Sequence, residues 1–192
     1  MIESERLSSL LQLLGDFMDA ENTSDLRLVV SGGAALIANG IVDRSTHDLD
    51  VFAQREMEGD LLPGNPLPDW FLDLVKRVAE QEELPENWIN SATSLVMDAL
   101  TILPSYCLQD LEERSFGNRF RVSFLKRDAQ IFLKVYAYFG RVEERDRVDL
   151  IALSPSSEEL ESALTWLQDQ ALVGGIQIQA SRHKLEELIN GN

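Results

Sequence analysis

The feature that most constrains the fold is an apolar run that ends abruptly at two glycines. Leu26–Ser31 is short and apolar, as expected for a buried β-strand. Gly32 and Gly33 follow it, and the Ala-Ala-Leu segment after them predicts a short helix over Ala34–Asn39. A strand that turns directly into a helix is typical of α/β architecture, in which helices cover the faces of a sheet.

Two carboxylates open the next apolar run. Asp48 and Asp50 flank Leu49, and residues i and i+2 of a strand point to the same face. Two like charges held this close are unfavourable unless a positive charge lies between them. A hard cation such as Mg²⁺ supplies that charge and favours carboxylate, water and phosphate oxygens. The alternative is a solvated strand edge, which is common in an acidic protein.

The two motifs are expected to lie side by side, at one end of adjacent strands. Glycines let the backbone approach a phosphate closely, and the start of a helix offers unpaired amides to an anion. The pattern therefore predicts a phosphate contact at Gly32 and Gly33 beside a metal at Asp48 and Asp50. A tight turn that merely requires positive φ is the alternative for the glycines.

Hydrophobic periodicity outlines the rest of the chain. An α/β or α+β fold with a helical C-terminal part follows, with a domain over residues 1–154 and a helical extension over residues 155–192 packed on it. Residues 88–113 show no clear period. Helices are predicted at residues 3–20, 69–81, 128–139, 142–153, 157–172 and 181–189, further strands from residue 49 and at 119–125, and a proline-rich loop at 61–68.

Composition limits the partners. The 192-residue chain has 33 acidic and 17 basic residues, a formal charge of −16. Long nucleic acid is disfavoured, because such binding depends on neutralising phosphates. A small nucleotide carried with its metal, or a basic partner protein, is compatible. No apolar run reaches the about 18 residues of a membrane span, and a single cysteine fits a reducing compartment, so a cytoplasmic protein without membrane contact is expected.

The motifs together resemble a known superfamily. The stretch VVSGGAALIANGIVDRSTHDLDVF is similar to the signature of nucleotidyltransferases, in which a glycine turn precedes an Asp-x-Asp strand. More narrowly, the glycine turn and the segment Arg44–Asp50 look like those of AbiEii-type toxins and related bacterial nucleotidyltransferase-like proteins. The resemblance covers roughly residues 28–151 and implies a mixed sheet flanked by helices.

The same resemblance extends to a downstream lysine and an acidic helix. Lys134 would neutralise a triphosphate oxygen, although a core-edge lysine is the alternative. Asp149 would complete the site, with Asp146 on the same helical face or salt-bridged at the surface. Many members carry a third carboxylate on a later strand, and none lies within residues 119–125. The implied set is catalytic Asp48, Asp50, Lys134 and Asp149; nucleotide-binding Ser31, Gly32, Gly33, Thr46 and Lys134; and metal-binding Asp48 and Asp50.

The expected activity is Mg²⁺-dependent transfer of a nucleoside monophosphate from a nucleoside triphosphate to an acceptor hydroxyl. The acceptor stays open between an RNA 3′ end, a protein hydroxyl and a small molecule. The resemblance also implies a toxin–antitoxin component. Two alternatives remain: a catalytically inactive module that acts through a protein partner, and an antibiotic-type enzyme that modifies small molecules.

Overall fold

The computed structural model describes residues 1–96, 103–141, 144–169 and 185. Two compact units divide the chain, Met1–Leu125 and Lys126–Asn192. The expected boundary after residue 154 lies within the second unit, between two of its helices, and stays a prediction.

The first unit alternates helices with strands. Its chain order begins helix–strand–helix–strand as predicted, but a further strand, Leu61–Pro63, comes before the next predicted helix. The elements are α1 Ser4–Ala20, β1 Leu26–Ser31, α2 Gly32–Ala38, β2 Leu49–Arg55, β3 Leu61–Pro63, α3 Asp69–Glu82, β4 Ile89–Asn90, α4 Ala92–Val96, a 3₁₀ turn Ser105–Leu108, β5 Glu113–Ser115 and β6 Phe120–Phe124.

Within the described residues, six strands form one mixed sheet in the order β3-β2-β1-β6-β5, with β4 added to β2. β1 lies at its centre, antiparallel to β2 and parallel to β6. The parallel neighbours β1 and β6 are far apart in sequence, as crossover connections require. The predicted α/β class, a mixed sheet flanked by helices with further helices at the C-terminal end, is confirmed.

One face of the sheet packs against α1 and α3. The core there joins alternate residues of the strands, such as Leu28, Val51 and Val122, to Leu14 of α1 and Phe71 of α3, and each of these is at most 2% exposed. Alternation then assigns the intervening strand residues to the opposite face. The opposite face carries Ser31 and Asp50, so core packing on one side sets the candidate site on the other.

Two predicted boundaries differ from the structure. The helix expected from Ala34 begins at Gly32, so both glycines belong to its first turn. The prediction of a loop over residues 61–68 is wrong at its start, where Leu61–Pro63 forms the strand β3. This strand pairs with Ala53–Arg55 of β2 at the sheet edge, where a proline is tolerated because its missing N–H faces outward.

The second unit contains α5 Arg127–Arg141, α6 Glu144–Leu153 and α7 Ser157–Asp169. Arg127 donates to the carbonyls of Leu153 and Ser154 and to both carboxylate oxygens of Glu159. Ser156 and Glu159 also exchange backbone–side-chain hydrogen bonds as a capping box at the start of α7. The bond from Arg127 holds the pKa of Glu159 below its ordinary value.

The helix expected at residues 181–189 lies, apart from Leu185, outside the described residues.

None of the helices in the described ranges combines the length and apolarity needed to cross a bilayer.

Gly15 fixes how α1 approaches the β5–β6 turn. It sits in the middle of a long helix, where glycine is disfavoured by about 1 kcal/mol against alanine. A Cβ at this position would lie 1.7 Å from the carbonyl oxygen of Phe116. Asp19, one helical turn further on, accepts the backbone N–H of Asn118. The turn therefore contacts α1 through backbone atoms, and only glycine leaves room for it.

Gly15→Ala should lower the free energy of unfolding by about 1–3 kcal/mol, because the new methyl group would push α1 off a rigid backbone. Urea denaturation measures the change. Ser8→Ala is the matched control on the exposed side of the same helix, where alanine should be neutral or slightly stabilising. Equal effects of the two substitutions would contradict the close contact.

Candidate functional site

Strand pairing brings the two sequence motifs together. In the β1–β2 register Ser31 lies opposite Asp50, and the Ser31 hydroxyl donates a long, 3.5 Å hydrogen bond to the Asp50 carbonyl. Ser31 is only 1% exposed. The end of β1 and the start of β2 thus meet, and the predicted adjacency of the glycine turn and the aspartates is present in the structure.

Gly32 has a specific reason to be glycine. Its φ is +68°, in the left-handed region that other residues rarely adopt. A Cβ there would also lie 2.6 Å from Oδ2 of Asp50. The Asp50 carboxylate therefore rests directly against the turn, in space that any side chain at residue 32 would fill.

Gly33 makes room for a second pair of side chains. A Cβ at Gly33 would lie 2.8 Å from the Thr46 hydroxyl and 3.3 Å from Nη2 of Arg44. Thr46 is 2% exposed, and its hydroxyl donates to the carbonyl of Asp48 over 3.3 Å. The glycines thus admit a carboxylate, a hydroxyl and a guanidinium from the Asp-x-Asp segment. The sequence left open a phosphate contact or a turn that requires positive φ; Gly32 has that positive φ, and the phosphate contact stays a prediction.

The segment before Asp48 is held by the beginning of the chain. Ile2, fully buried, exchanges both backbone hydrogen bonds with Thr46, at 2.8 and 2.9 Å. Arg44 donates to the carbonyl of Ser45 over 2.9 Å. This bridge fixes the loop next to the aspartates from outside the sheet.

Asp48 and Asp50 are both half-buried. Leu49 between them is fully buried in the core. The exposed His47 lies outside the core layer. In the described parts of the chain no group of three or more His, Cys, Asp or Glu side chains is placed to hold a metal.

Two residues beside the aspartates have structural partners. Trp88 is fully buried, and its indole N–H donates to the Val75 carbonyl over 3.1 Å. It therefore packs in the core. Asn90 lies next to Asp50 in the β2–β4 register and accepts the backbone N–H of Ala92 at 2.9 Å.

The second unit holds a buried charge cluster. Nζ of Lys134, on α5, lies 2.9 Å from a carboxylate oxygen of Asp146 and 2.6 Å from one of Asp149, both on α6. The lysine side chain is 6% exposed and the two aspartates are fully buried. One ammonium thus faces two carboxylates, so these three groups carry a formal charge of −1. Asp146 is buried, which removes the salt-bridged surface alternative for it.

The predicted site residues therefore fall into two groups. The first unit brings together Ser31, Gly32, Gly33, Thr46, Asp48 and Asp50, and the second unit brings Lys134 to Asp149. Sequence reasoning assigned no role to Arg44, although the structure places its guanidinium against Gly33. Its position two residues before Thr46 was the available signal, since alternate residues of an extended segment share a side.

Comparison with known proteins agrees with this geometry. Residues 5–111, more than half of the chain, match the family described as nucleotidyltransferase of unknown function (DUF6036). The chain belongs to this family of nucleotidyltransferases. The match covers the glycine turn and the Asp-x-Asp motif, and it supports the superfamily rather than the narrower AbiEii-type resemblance. No curated protein and no solved structure matches the chain.

Lys134→Met should destabilise the protein by about 3–5 kcal/mol, because the ammonium that contacts two buried carboxylates would be removed. Urea unfolding measures the loss, and Lys126→Met, at an exposed position, is the matched control. Adding Asp149→Asn to Lys134→Met should restore part of the stability, since it removes one of the two repelling charges. The double-mutant cycle should depart from additivity by more than about 1 kcal/mol. Additive effects would show that the cluster is not coupled.

Proposed function

We propose that the protein is a Mg²⁺-dependent nucleotidyltransferase that moves a nucleoside monophosphate from a nucleoside triphosphate to an acceptor hydroxyl. The observation that carries this function is the Asp50 carboxylate lying against Gly32, with Asp48 beside it, in a member of a nucleotidyltransferase family. Carboxylates next to a glycine turn suit a metal-bound phosphate, because they supply charge where the backbone allows close approach.

The residues present fit a magnesium ion. The side chains of Asp48 and Asp50 offer only oxygen donors, and both residues are half-buried rather than sealed in the core. Mg²⁺ in phosphate-handling sites is commonly held by one or two carboxylates, with water and substrate phosphate completing its shell. When bound, the metal would neutralise charge on the phosphates during the transfer.

The chain's own groups would then position the reactants. The Arg44 guanidinium, which lies against Gly33, is suited to hold phosphate oxygens. The Thr46 hydroxyl would do so only by giving up its hydrogen bond to the Asp48 carbonyl. The acceptor oxygen attacks the α-phosphorus in line, and the bond to the β-phosphate breaks as pyrophosphate leaves. Catalysis of this kind depends chiefly on positioning and electrostatic stabilisation.

Roles for Lys134 and Asp149 in this reaction remain predictions from the resemblance. Lys134 would bind a triphosphate oxygen, and Asp149 would serve as the third carboxylate. The contacts of Lys134 make that role harder to fill, since two carboxylates already share its ammonium. A phosphate ligand would compete with both for the same charge.

The net charge of the chain favours one class of partner. With a formal charge of −16, a basic protein partner is favoured over long nucleic acid, since complementary charge speeds association. A toxin–antitoxin pair or an inactive module acting through such a partner would satisfy this preference. Incubation with labelled nucleoside triphosphates and either RNA, proteins or a panel of small alcohols and amines separates these possibilities by which class becomes labelled.

Gly32→Ala should weaken binding of a nucleoside triphosphate with Mg²⁺ by about 10–100-fold, as when a metal ligand loses its orientation. Asp50→Ala should weaken it at least as much. Isothermal titration calorimetry against each nucleotide measures both.

Gly40→Ala is a closely matched control for Gly32→Ala. Gly40 has a φ of +66°, and a Cβ there would meet nothing within 4 Å. Both substitutions should cost about 1–2 kcal/mol of stability through backbone strain, but only the one at Gly32 should affect binding. If no nucleotide binds the wild type, or Asp50→Ala binds it normally, the proposed activity is wrong.

A further inference from the structure

Two arginines lie side by side on the sheet face opposite the α1–α3 core. Arg27 of β1 and Arg121 of β6 are direct partners in the parallel register. Each is flanked along its strand by core residues, Leu26 and Leu28 in one case and Phe120 and Val122 in the other. Strand alternation therefore projects both guanidiniums from the same face.

The pair has too few partners for its charge. In the described ranges both arginines form their ion pairs with Glu113 of β5, which places one carboxylate oxygen 3.8 Å from Nη1 of Arg27 and the other 3.5 Å from Nε of Arg121. Among the residues that the structure describes, neither guanidinium donates a side-chain hydrogen bond, and Nε of Arg27 and Nη1 of Arg121 are buried without an acceptor. Two cations thus share one carboxylate, which leaves a local formal charge of +1.

This arrangement is unfavourable by itself. Like charges directly across a strand pair repel, and buried donors without acceptors lose their hydration. Such a cluster also contrasts with a chain whose formal charge is −16. The side chains remain partly open to solvent, at 18% for Arg27 and 26% for Arg121, although the two donors without acceptors are themselves buried.

We propose that Arg27 and Arg121 form a phosphate-binding site distinct from the aspartate site. A phosphate group offers several acceptor oxygens and at least one negative charge, which two guanidinium forks can bind in bidentate fashion. A carboxylate offers only two oxygens and resembles the group that Glu113 already supplies. The ligand is therefore a phosphate monoester or diester.

The distance from the aspartates makes the site separate. Arg27 and Ser31 share the same face of β1 and are four residues apart, about 13 Å along a strand. Ser31 lies opposite Asp50. A phosphate on the arginine pair is thus a different group from one held at Asp50. It belongs either to a phosphorylated small molecule or to the backbone of an oligonucleotide.

Inorganic phosphate is the first probe, added to ¹⁵N-labelled full-length protein without nucleotide or Mg²⁺. The Nε–H signals of Arg27 and Arg121, assigned by their loss in Arg27→Gln and Arg121→Gln, should shift with saturation. Either substitution should weaken phosphate binding about tenfold or more, as expected for loss of a charge-assisted contact. Arg77→Gln, at an exposed ion pair with Glu21, removes the same charge elsewhere and should leave binding unchanged.

Glu113→Gln gives an effect of opposite sign. It removes the competing carboxylate and should tighten phosphate binding severalfold. A purely structural role of the three residues would leave phosphate affinity unchanged in every variant, and that result would overturn the site. If no arginine Nε–H signal of the wild type shifts with phosphate, the site is overturned equally, and that result needs no assignment from the variants.

A sugar phosphate and a short RNA oligonucleotide, titrated in the same way, identify the source of the phosphate. Tighter binding of either one than of inorganic phosphate supports the site and assigns its ligand. Asp50→Ala should bind all three probes normally, because the site does not depend on the proposed transfer reaction. Loss of phosphate binding in Asp50→Ala would contradict a separate site.

Discussion

The register between β1 and β2 is the constraint on which the rest of the first unit depends. β1 is the central strand, and Val29 and Val30 are fully buried on its two faces. A slip of one residue would turn the core residues of β2 outward and carry Asp50 into the α1–α3 core. The pairing shifts by one residue between Val29 and Val30, and this shift places Ser31 opposite Asp50. Core packing and the candidate site are therefore specified by the same set of hydrogen bonds.

Long periodic segments could be predicted from the sequence, and short ones could not. α1, β1, α3 and β6 carry enough apolar repeats to fix their type and nearly their ends. β3, β4 and β5 have two or three residues each, too few for any period, so they exist because a neighbouring strand offers hydrogen bonds. The need for glycine at residue 15 could not be predicted either, because it arises from a backbone atom about a hundred residues away in the sequence. Tertiary contact, rather than local propensity, decides such positions.

The site shows the same division. Motif order was enough to place Gly32 beside Asp50, because consecutive strands commonly pair. It was not enough to show that the space over Gly33 is taken by Arg44 and Thr46, or that Lys134 has two buried carboxylates as partners. Those facts depend on side-chain direction and burial. In a strongly acidic chain, a local cluster of opposite charge, such as Arg27 with Arg121, indicates a binding site better than the net charge of the whole chain does.

The bridge between Ile2 and Thr46 ties the aspartate loop to a segment that carries none of the candidate chemistry. Opening that bridge would free the loop before Asp48, so a ligand that bound the proposed aspartate site only with the loop closed would be thermodynamically linked to the bridge. By reciprocity, any ligand that requires the closed loop must also slow the exchange of the Ile2 and Thr46 amide protons with solvent. The amide protons of Ile2 and Thr46 would then report on binding at Asp48 and Asp50 through the two hydrogen bonds that join them.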